Sequence, residues 1–476
     1  MTTTNGRWTW ADKPSDGREE TQTNRKPINR HMRRRYLSLL LLCMLAAIGC
    51  RAKNSVAPMT AGYVFMLPGD AEVMAQINLT NWGDTRVTSI TYTLYYMDSK
   101  ESEGPMTVAL DTPLEDGETR AVGIAIKAGK TLGKEDVLLN ITQVNGTYNE
   151  ASVSYTYITR CTVNKMPVKR VLVEDYAAMW CWHCPVGLVA TDALARRFPD
   201  DVVAVSVHKT DDISKVVSPT VYEGLIDRYA ATLPAVWIAR DNKAAGYDVT
   251  TAYQSEKSKV TYMNIGVSAR WDATGDAIDV TTEVEPCMTP EEGSSYSVGY
   301  VLTASGLTNP AWRQEASYAE YSSPSYADAP EEMKFYADAA NYSDGYSKVK
   351  GVVYNHVAIE SKGMEKGIAN SLGAPYAMDE VKKHSTTFSN ISRYGIIGDK
   401  SKIDIVAVLF NNKTNKIENA ARCRVDGYGG DTTGIGEAVG DKRDGDDRMY
   451  DMMGRRVYGK PAPGLYIVNG RKIIVK

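Results

Sequence analysis

Charge of one sign is what this sequence most clearly lacks: 55 Lys and Arg stand against 58 Asp and Glu, a net charge of −3 over 476 residues. No basic stripe interrupts that balance, so nothing supplies the field that draws in nucleic acid, and no nucleic-acid partner is expected. Cysteine is sparse as well. Of the seven, Cys43 and Cys50 fall in an apolar N-terminal run, and among the other five only Cys181 and Cys184 are close in sequence, which is no disulfide scaffold. A single C-x-x-C without a second pair at suitable spacing does not make a zinc site. Cys161 can pair with Cys287 or Cys423, and sequence does not choose. His31, His208, His356 and His384 are scattered, which suits structural or surface roles better than ligation. No Gly-rich phosphate loop, triad signature or paired-carboxylate motif is present, so no metal or cofactor is expected. Phenylalanine is scarce, five against 29 tyrosines. Tyrosine and threonine favour half-exposed pleated sheet, so the excess predicts sheet surface rather than an aromatic binding platform.

What is there begins with the N-terminus. Residues 1–31 are polar and without an apolar run. Met32-Arg33-Arg34-Arg35 then leads into Leu37 to Ile48, the pattern of a secretory signal peptide and too short for a comfortable transmembrane helix. Met32 therefore reads as the start, with 1–31 a mis-called extension and 32–50 the signal. Ala47-Ile48-Gly49-Cys50 resembles a lipobox, in which Cys50 is lipidated and anchors the chain to a membrane; Ala47 stands where such motifs usually carry Leu. Cleavage after Ala52 is the competing reading. Export follows from both, and no other segment is long and apolar enough to span a bilayer.

The rest divides by period. With 43% apolar residues the chain has enough for about three cores of roughly 150 residues each. Residues 58–165 alternate with a period of two: Val73, Ala75, Ile77 and Leu79, then Ile90, Tyr92, Leu94 and Tyr96, then Val122, Ile124 and Ile126, with Val153, Tyr155 and Tyr157 closing the set after the Asn145-Gly146 turn. This predicts an immunoglobulin-like β-sandwich with no chemistry of its own. Residues 166–260 switch to strand–helix–strand alternation, an α/β unit: strands at 168–173, 202–207 and 233–238, and helices at 185–198, 219–230 and 250–260. Residues 262–425 return to β alternation, a second sandwich, interrupted over Ala316 to Lys350 by a Tyr-, Ser- and Ala-rich insertion of weak periodicity. Residues 426–447 read as a flexible Gly- and Asp-rich linker, and 448–476 as a compact β module whose Asn469-Gly470 predicts a hairpin.

The chemistry is concentrated in Trp180-Cys181-Trp182-His183-Cys184-Pro185. Disulfide exchange needs an attacking thiolate and a second thiol within reach to release the mixed disulfide. At a helix start, the first sulfur meets unpaired N–H groups and the positive dipole end. Cys181 is thus the expected nucleophile and Cys184 the resolving thiol. Trp180 would cover the site, and Pro185 is tolerated in the first helical turn.

These residues resemble the thioredoxin superfamily. The resemblance implies that Asp175 is a buried acid that accepts the proton of the resolving Cys, against the alternative of a surface group beside Glu174. It implies that Pro234 is the cis-proline facing the Cys pair and guiding an extended substrate, although Leu233 replaces the usual Thr or Val. A His before the second Cys is similar to protein disulfide isomerase and the periplasmic Dsb oxidase. It implies thiolate stabilisation by His183 and a potential in the middle of the range from about −270 to about −120 mV.

The whole arrangement resembles the Omp-twenty-eight-related outer membrane lipoproteins of Bacteroidetes. The likeness rests on Cys50, the Trp180-to-Pro185 motif, Tyr354-Asn355-His356-Val357-Ala358 and Ile417-Glu418-Asn419-Ala420-Ala421. It implies an address in the cell envelope and an architecture more than an activity. The last residues, Tyr450 to Val457 and Gly464 to Val468, resemble a type IX secretion sorting domain, which sits awkwardly with a lipobox. The expectation is therefore an exported, membrane-anchored oxidoreductase acting on protein thiols or disulfides. A surface binding or adhesion protein that keeps the α/β unit as a scaffold is the alternative. None of these patterns encodes an oligomeric state.

Overall fold

The computed structural model describes residues 52–427 apart from 245, 247, 327 and 328, together with the backbone of four strands between 449 and 475. The leader, the apolar run with Cys43 and Cys50, and most of the 426–447 stretch lie outside the described residues. The architecture is β-rich, with several sheets.

Near the N-terminus two sheets enclose one core. Val56–Pro58, Glu72–Asn81 and Thr119–Lys127 form the first; Tyr63–Met66, Tyr155–Thr162, Gly133–Val144, Val87–Tyr96 and Ser102–Leu114 form the second. Ala75, Ile77 and Leu79 face Ile90, Tyr92, Leu94 and Tyr96 across that core, as their period of two requires. The Asn145-Gly146 turn has positive φ at both residues (50° and 77°), the geometry that two-residue hairpins favour. One face is the reverse of the expectation. Tyr155 and Tyr157 are about half exposed, and Ile158 and Arg160 point inward instead. A period of two is the same whichever set faces the core, and Ile158 is the better fit to the interior.

The second half is organised by an eight-stranded mixed sheet. Its order is Asn242–Ala244, Ala235–Ile238, Val171–Ala177, Val202–His208, Val357–Lys362, Tyr296–Ala304, Ile403–Asn411 and Lys416–Arg424. Val171–Ala177 runs parallel to Val202–His208 and antiparallel to Ala235–Ile238. Every residue of Val171–Ala177, Val202–His208 and Tyr296–Ala304 is buried, the pattern of central strands covered on both faces. The α-helices Cys184–Arg197 and Val249–Lys257 cover one face through Ala190, Leu194, Val249 and Tyr253. Met263–Trp271, Ala277–Pro286 and Lys382–Ser389 form a separate three-stranded sheet whose apolar side joins the core of Tyr296–Ala304 and Ile403–Asn411. The helix anticipated over 219–230 shrinks to Leu225–Tyr229, preceded by turns.

The α/β segment and the segment after 262 thus share a sheet. The seam is narrow: Val202–His208 meets Val357–Lys362 at one register pair, Ser206 opposite Val357, where the Ser206 N–H donates to the His356 carbonyl at 2.7 Å. Side chains reinforce it. Asn355 Nδ2 donates to Asp192 Oδ2 at 2.8 Å. Asn419, fully buried, accepts from the Arg170 N–H at 2.8 Å and donates to the carbonyls of Val168 and Met263, both at 2.8 Å. The 354–358 and 417–421 motifs singled out in the sequence are therefore stitching points between the two segments. At the C-terminus, Gly464–Val468 pairs antiparallel with Arg471–Val475.

Tyrosine does more than coat sheets. Tyr92, Tyr96, Tyr176, Tyr222, Tyr300 and Tyr354 are among the largest fully buried side chains. With so few phenylalanines, tyrosine supplies the aromatic bulk of the core, and its hydroxyls then need partners. Tyr342 finds the Tyr336 carbonyl and Tyr376 that of Leu372.

Candidate functional site

The loop carrying the Cys pair emerges from the C-terminal end of the buried strand Val171–Ala177 and runs straight into the helix Cys184–Arg197. His183 is the N-cap, Pro185 lies in the first turn, and Arg196 and Arg197 close the last turn, as the composition anticipates. Cys181 and Cys184 form a disulfide, with Cα atoms 5.3 Å apart. Cys184 is fully buried and Cys181 is 6% exposed. Trp180 precedes the pair and Trp182 lies between its two cysteines, each about half exposed. Leu188 and Leu233 pack against the sulfurs' apolar surroundings, and the Leu233–Pro234 peptide bond is cis.

Asp175 is no surface group. It is fully buried, and neither carboxyl oxygen has a hydrogen-bond partner. Burial, assisted by the charge of Asp192, pushes its carboxyl up to about 8. Its closest neighbours show why it is enclosed. A Cβ built on Gly187, in the Cys helix, would lie 2.6 Å from Asp175 Oδ1 and 3.2 Å from Pro234 Cβ. Glycine at 187 thus lets the helix settle onto the acid and the proline together. A Gly187→Ala variant is expected to lose about 1–3 kcal/mol of stability despite alanine's better helix propensity, because the clash outweighs it. Urea titration of the oxidised protein checks this, and an unchanged or raised midpoint would contradict the tight contact.

Sequence reasoning missed how much of the site comes from residues at the two ends of the Ala316 to Lys350 insertion and just beyond them. Gln314 is fully buried, and its two Nε2 hydrogens are shared among the carbonyls of Ala178, Met179, Cys181 and Glu315, at 3.2, 3.3, 3.0 and 3.0 Å. The Glu315 N–H donates to the Met179 carbonyl at 2.6 Å. Tyr354 donates to Gln314 Oε1 at 3.2 Å, and its ring meets that of His208 edge-on at 5.2 Å. From the other side, Asp211 Oδ2 accepts from the Met179 N–H at 3.0 Å and lies 2.6 Å from His208 Nδ1. Burial works against the Asp211 charge, but His208 and the N–H groups of Ser214 and Met179 more than offset it and hold the carboxyl below its ordinary range. The Cys loop is thus gripped through its carbonyls and its amide at once.

The dipeptide between the cysteines is held in the same way. The Trp182 indole donates to Glu315 Oε2 at 2.6 Å, the Tyr321 hydroxyl donates to the Trp182 carbonyl at 2.7 Å, and His183 Nδ1 lies 3.3 Å from Glu320 Oε1. Trp180 leans the other way, its indole shared between the carbonyls of Lys209 and Thr210 at 3.2 and 3.0 Å. The only sequence signal for this role is indirect: a Gln-Glu pair at 314–315 opening a segment too rich in tyrosine for an idle loop.

The remaining thiols stand apart. Cys161 and Cys287 share a small apolar cluster with Val163 and Met288, and Cys423 lies elsewhere; all three are unpaired. Burial pushes each up to about 12, which keeps them as thiols near neutral pH. Among the described residues no three His, Cys, Asp or Glu side chains gather into a group that could hold a metal ion, and no helix is long and apolar enough to cross a membrane.

No family model and no curated protein matches the chain. Among solved structures it is similar to HBP35 of Porphyromonas gingivalis, 16% identical, over 65% of this chain and 98% of that one, with a TM-score of 0.39. A domain of the outer membrane lipoprotein Omp28 from the same organism is 11% identical over 35% of this chain and 91% of that one, with a TM-score of 0.18. At such scores these likenesses carry no argument about chemistry, which rests on the site itself.

Proposed function

We propose that the protein is an exported thiol–disulfide oxidoreductase acting on protein cysteines, with a thioredoxin-like unit as its catalytic part. The observation that carries this reading is a disulfide at a helix N-terminus with a buried, unpartnered carboxyl, that of Asp175, packed against Gly187 of the same helix. In the reducing direction, the Cys181 thiolate attacks a substrate disulfide, forming one S–S bond and releasing one substrate thiolate. Cys184 then gives its proton to Asp175 and attacks Cys181; the pair closes to a disulfide and the second substrate thiolate leaves. The substrate gains two electrons and the pair loses two. The reverse sequence oxidises a substrate dithiol. His183 and the helix N-terminus favour the thiolate, Trp180 covers it, and Pro234 and Leu233 border the path of an extended substrate. Membrane attachment through lipid on Cys50, an envelope address and a sorting role for the C-terminal β module belong to the same proposal.

Incubating a Cys184→Ala variant with envelope proteins is expected to trap mixed disulfides on Cys181, which disappear in the double variant lacking Cys181. Redox titration of the wild type against glutathione, with thiols trapped by alkylation, is expected to give one two-electron transition between about −270 and −120 mV. A pair that stays oxidised below about −300 mV, with no trapped partner, would make the disulfide a structural one and the protein a binding scaffold.

A further inference from the structure

Both residues between the cysteines meet a carboxylate, and both carboxylates, Glu315 and Glu320, come from one short stretch in the second half of the chain. Glu315 takes the Trp182 indole N–H, and Glu320 lies 3.3 Å from His183 Nδ1. The segment bearing them is itself fixed. Ser317 caps the short helix Tyr318–Tyr321 by accepting from the Glu320 N–H, the Tyr321 hydroxyl holds the Trp182 carbonyl, and Tyr326 donates to Glu320 Oε1 at 2.8 Å. Glu320 is therefore a placed charge, oriented by Tyr326 toward the imidazole.

We propose that Glu320 is a poise-setting residue that restrains the oxidising power of the Cys181–Cys184 pair. The inference rests on the oxidoreductase reading for its purpose but not for its measurement. With the imidazole protonated, the His183–Glu320 pair is neutral; with it unprotonated, the pair carries one negative charge. In either state Glu320 makes the surroundings of Cys181 one charge more negative than His183 alone would. A more negative setting disfavours the thiolate. It therefore disfavours the reduced form and favours the disulfide in the exchange of one pair disulfide and two glutathiones for the dithiol and one glutathione disulfide. The histidine pushes the pair toward oxidising substrates, and the glutamate opposes that push from 137 residues away in sequence.

The test compares wild type, Glu320→Gln and Glu320→Asp in the same glutathione series near pH 8, where the thiolate is populated. Glu320→Gln is expected to shift the exchange constant toward the dithiol by about threefold to fivefold, the size of a partly exposed ion pair. Alkylation of Cys181 in the reduced protein is expected to reach half its maximal rate at a lower pH. Glu320→Asp keeps the charge and is expected to stay close to wild type. An unchanged or opposite shift in Glu320→Gln overturns the proposal, as does a Glu320→Asp variant that moves as far as Glu320→Gln, which would mark a structural effect. The wild-type potential in the same series reports on the oxidoreductase reading separately.

Discussion

Asparagine in place of Asp175 is expected to raise stability at pH 8 and to slow thiol–disulfide exchange, two opposite effects of one carboxyl. In the folded chain the group titrates at about 8, against 3.8 ordinarily. Below pH 3.8 the carboxyl is protonated in both states and costs nothing extra. Between 3.8 and 8 the unfolded chain releases a proton that the folded chain keeps, so stability falls as pH rises. Above 8 the loss is complete. At about 1.4 kcal/mol per pH unit, the loss at pH 7 is on the order of 4 kcal/mol, and asparagine, which does not titrate, recovers it. Thermal melts of the oxidised proteins at pH 4.5 and 8 read this directly: the variant's advantage is expected at pH 8 and nearly absent at pH 4.5. An equal gain at both values would mean that the carboxyl does not titrate in this range. Exchange with a disulfide substrate is expected to slow at the step that resolves the mixed disulfide, because the mechanism we propose gives the Cys184 proton to Asp175. A residue that costs stability and repays it in rate is the usual mark of a working site.

That the motif at 180–185 belongs at a helix start was legible in the sequence, because Pro185, the arginines at 196–197 and Pro199 bracket one helix and little else. The strands of the N-terminal sandwich were legible for the same reason: Ala75, Ile77 and Leu79 repeat at two, and a repeat at two has one meaning. Which face of Tyr155–Thr162 turns inward was not, since Tyr155 and Tyr157 offer as much apolar area as Ile158. Partner choice was legible for near neighbours such as Gly464–Val468 and Arg471–Val475, on either side of Asn469-Gly470, and illegible between distant strands. Val202–His208 and Val357–Lys362 lie about 150 residues apart and meet at one register pair, and nothing in either segment names the other. The grip on the Cys loop was hidden for a related reason. Gln314 and Glu320 act through single side chains set in a two-residue strand and a one-turn helix, too short to leave a periodic trace, and the tyrosines that support them read as sheet surface until their burial is seen.

Breaking the Glu174–Arg240 pair is expected to be the most damaging single change outside the cysteines. Successive residues of a strand face opposite ways, and here the two acids of one strand have opposite fates. Asp175 faces the Cys helix without a partner. Glu174, equally buried, faces the other side and receives Arg240 through two bonds, Nε to Oε2 at 2.7 Å and Nη2 to Oε1 at 2.6 Å. Arg240 Nη1 also donates to the Met364 carbonyl at 2.6 Å, tying the α/β segment to the second half. Burial works against the guanidinium's charge, and Glu174 more than reverses it, so the arginine is held above its ordinary range. Arg240→Met leaves a buried carboxylate with no counter-charge and is expected to cost about 3–5 kcal/mol at pH 8. Glu174→Gln combined with Arg240→Met removes both charges and is expected to recover most of the loss, since an intact buried pair is worth little over neutral groups of similar size. A double-mutant cycle by urea titration at pH 8 separates these contributions. If the double variant proved as costly as Arg240→Met alone, the arginine's role would lie in its bond to Met364 and its packing against Tyr222 and Tyr229, not in its charge. The contrast explains how one strand carries both acids: the paired one fastens the sheet through Arg240, while burial pushes the carboxyl of its unpaired neighbour up to about 8.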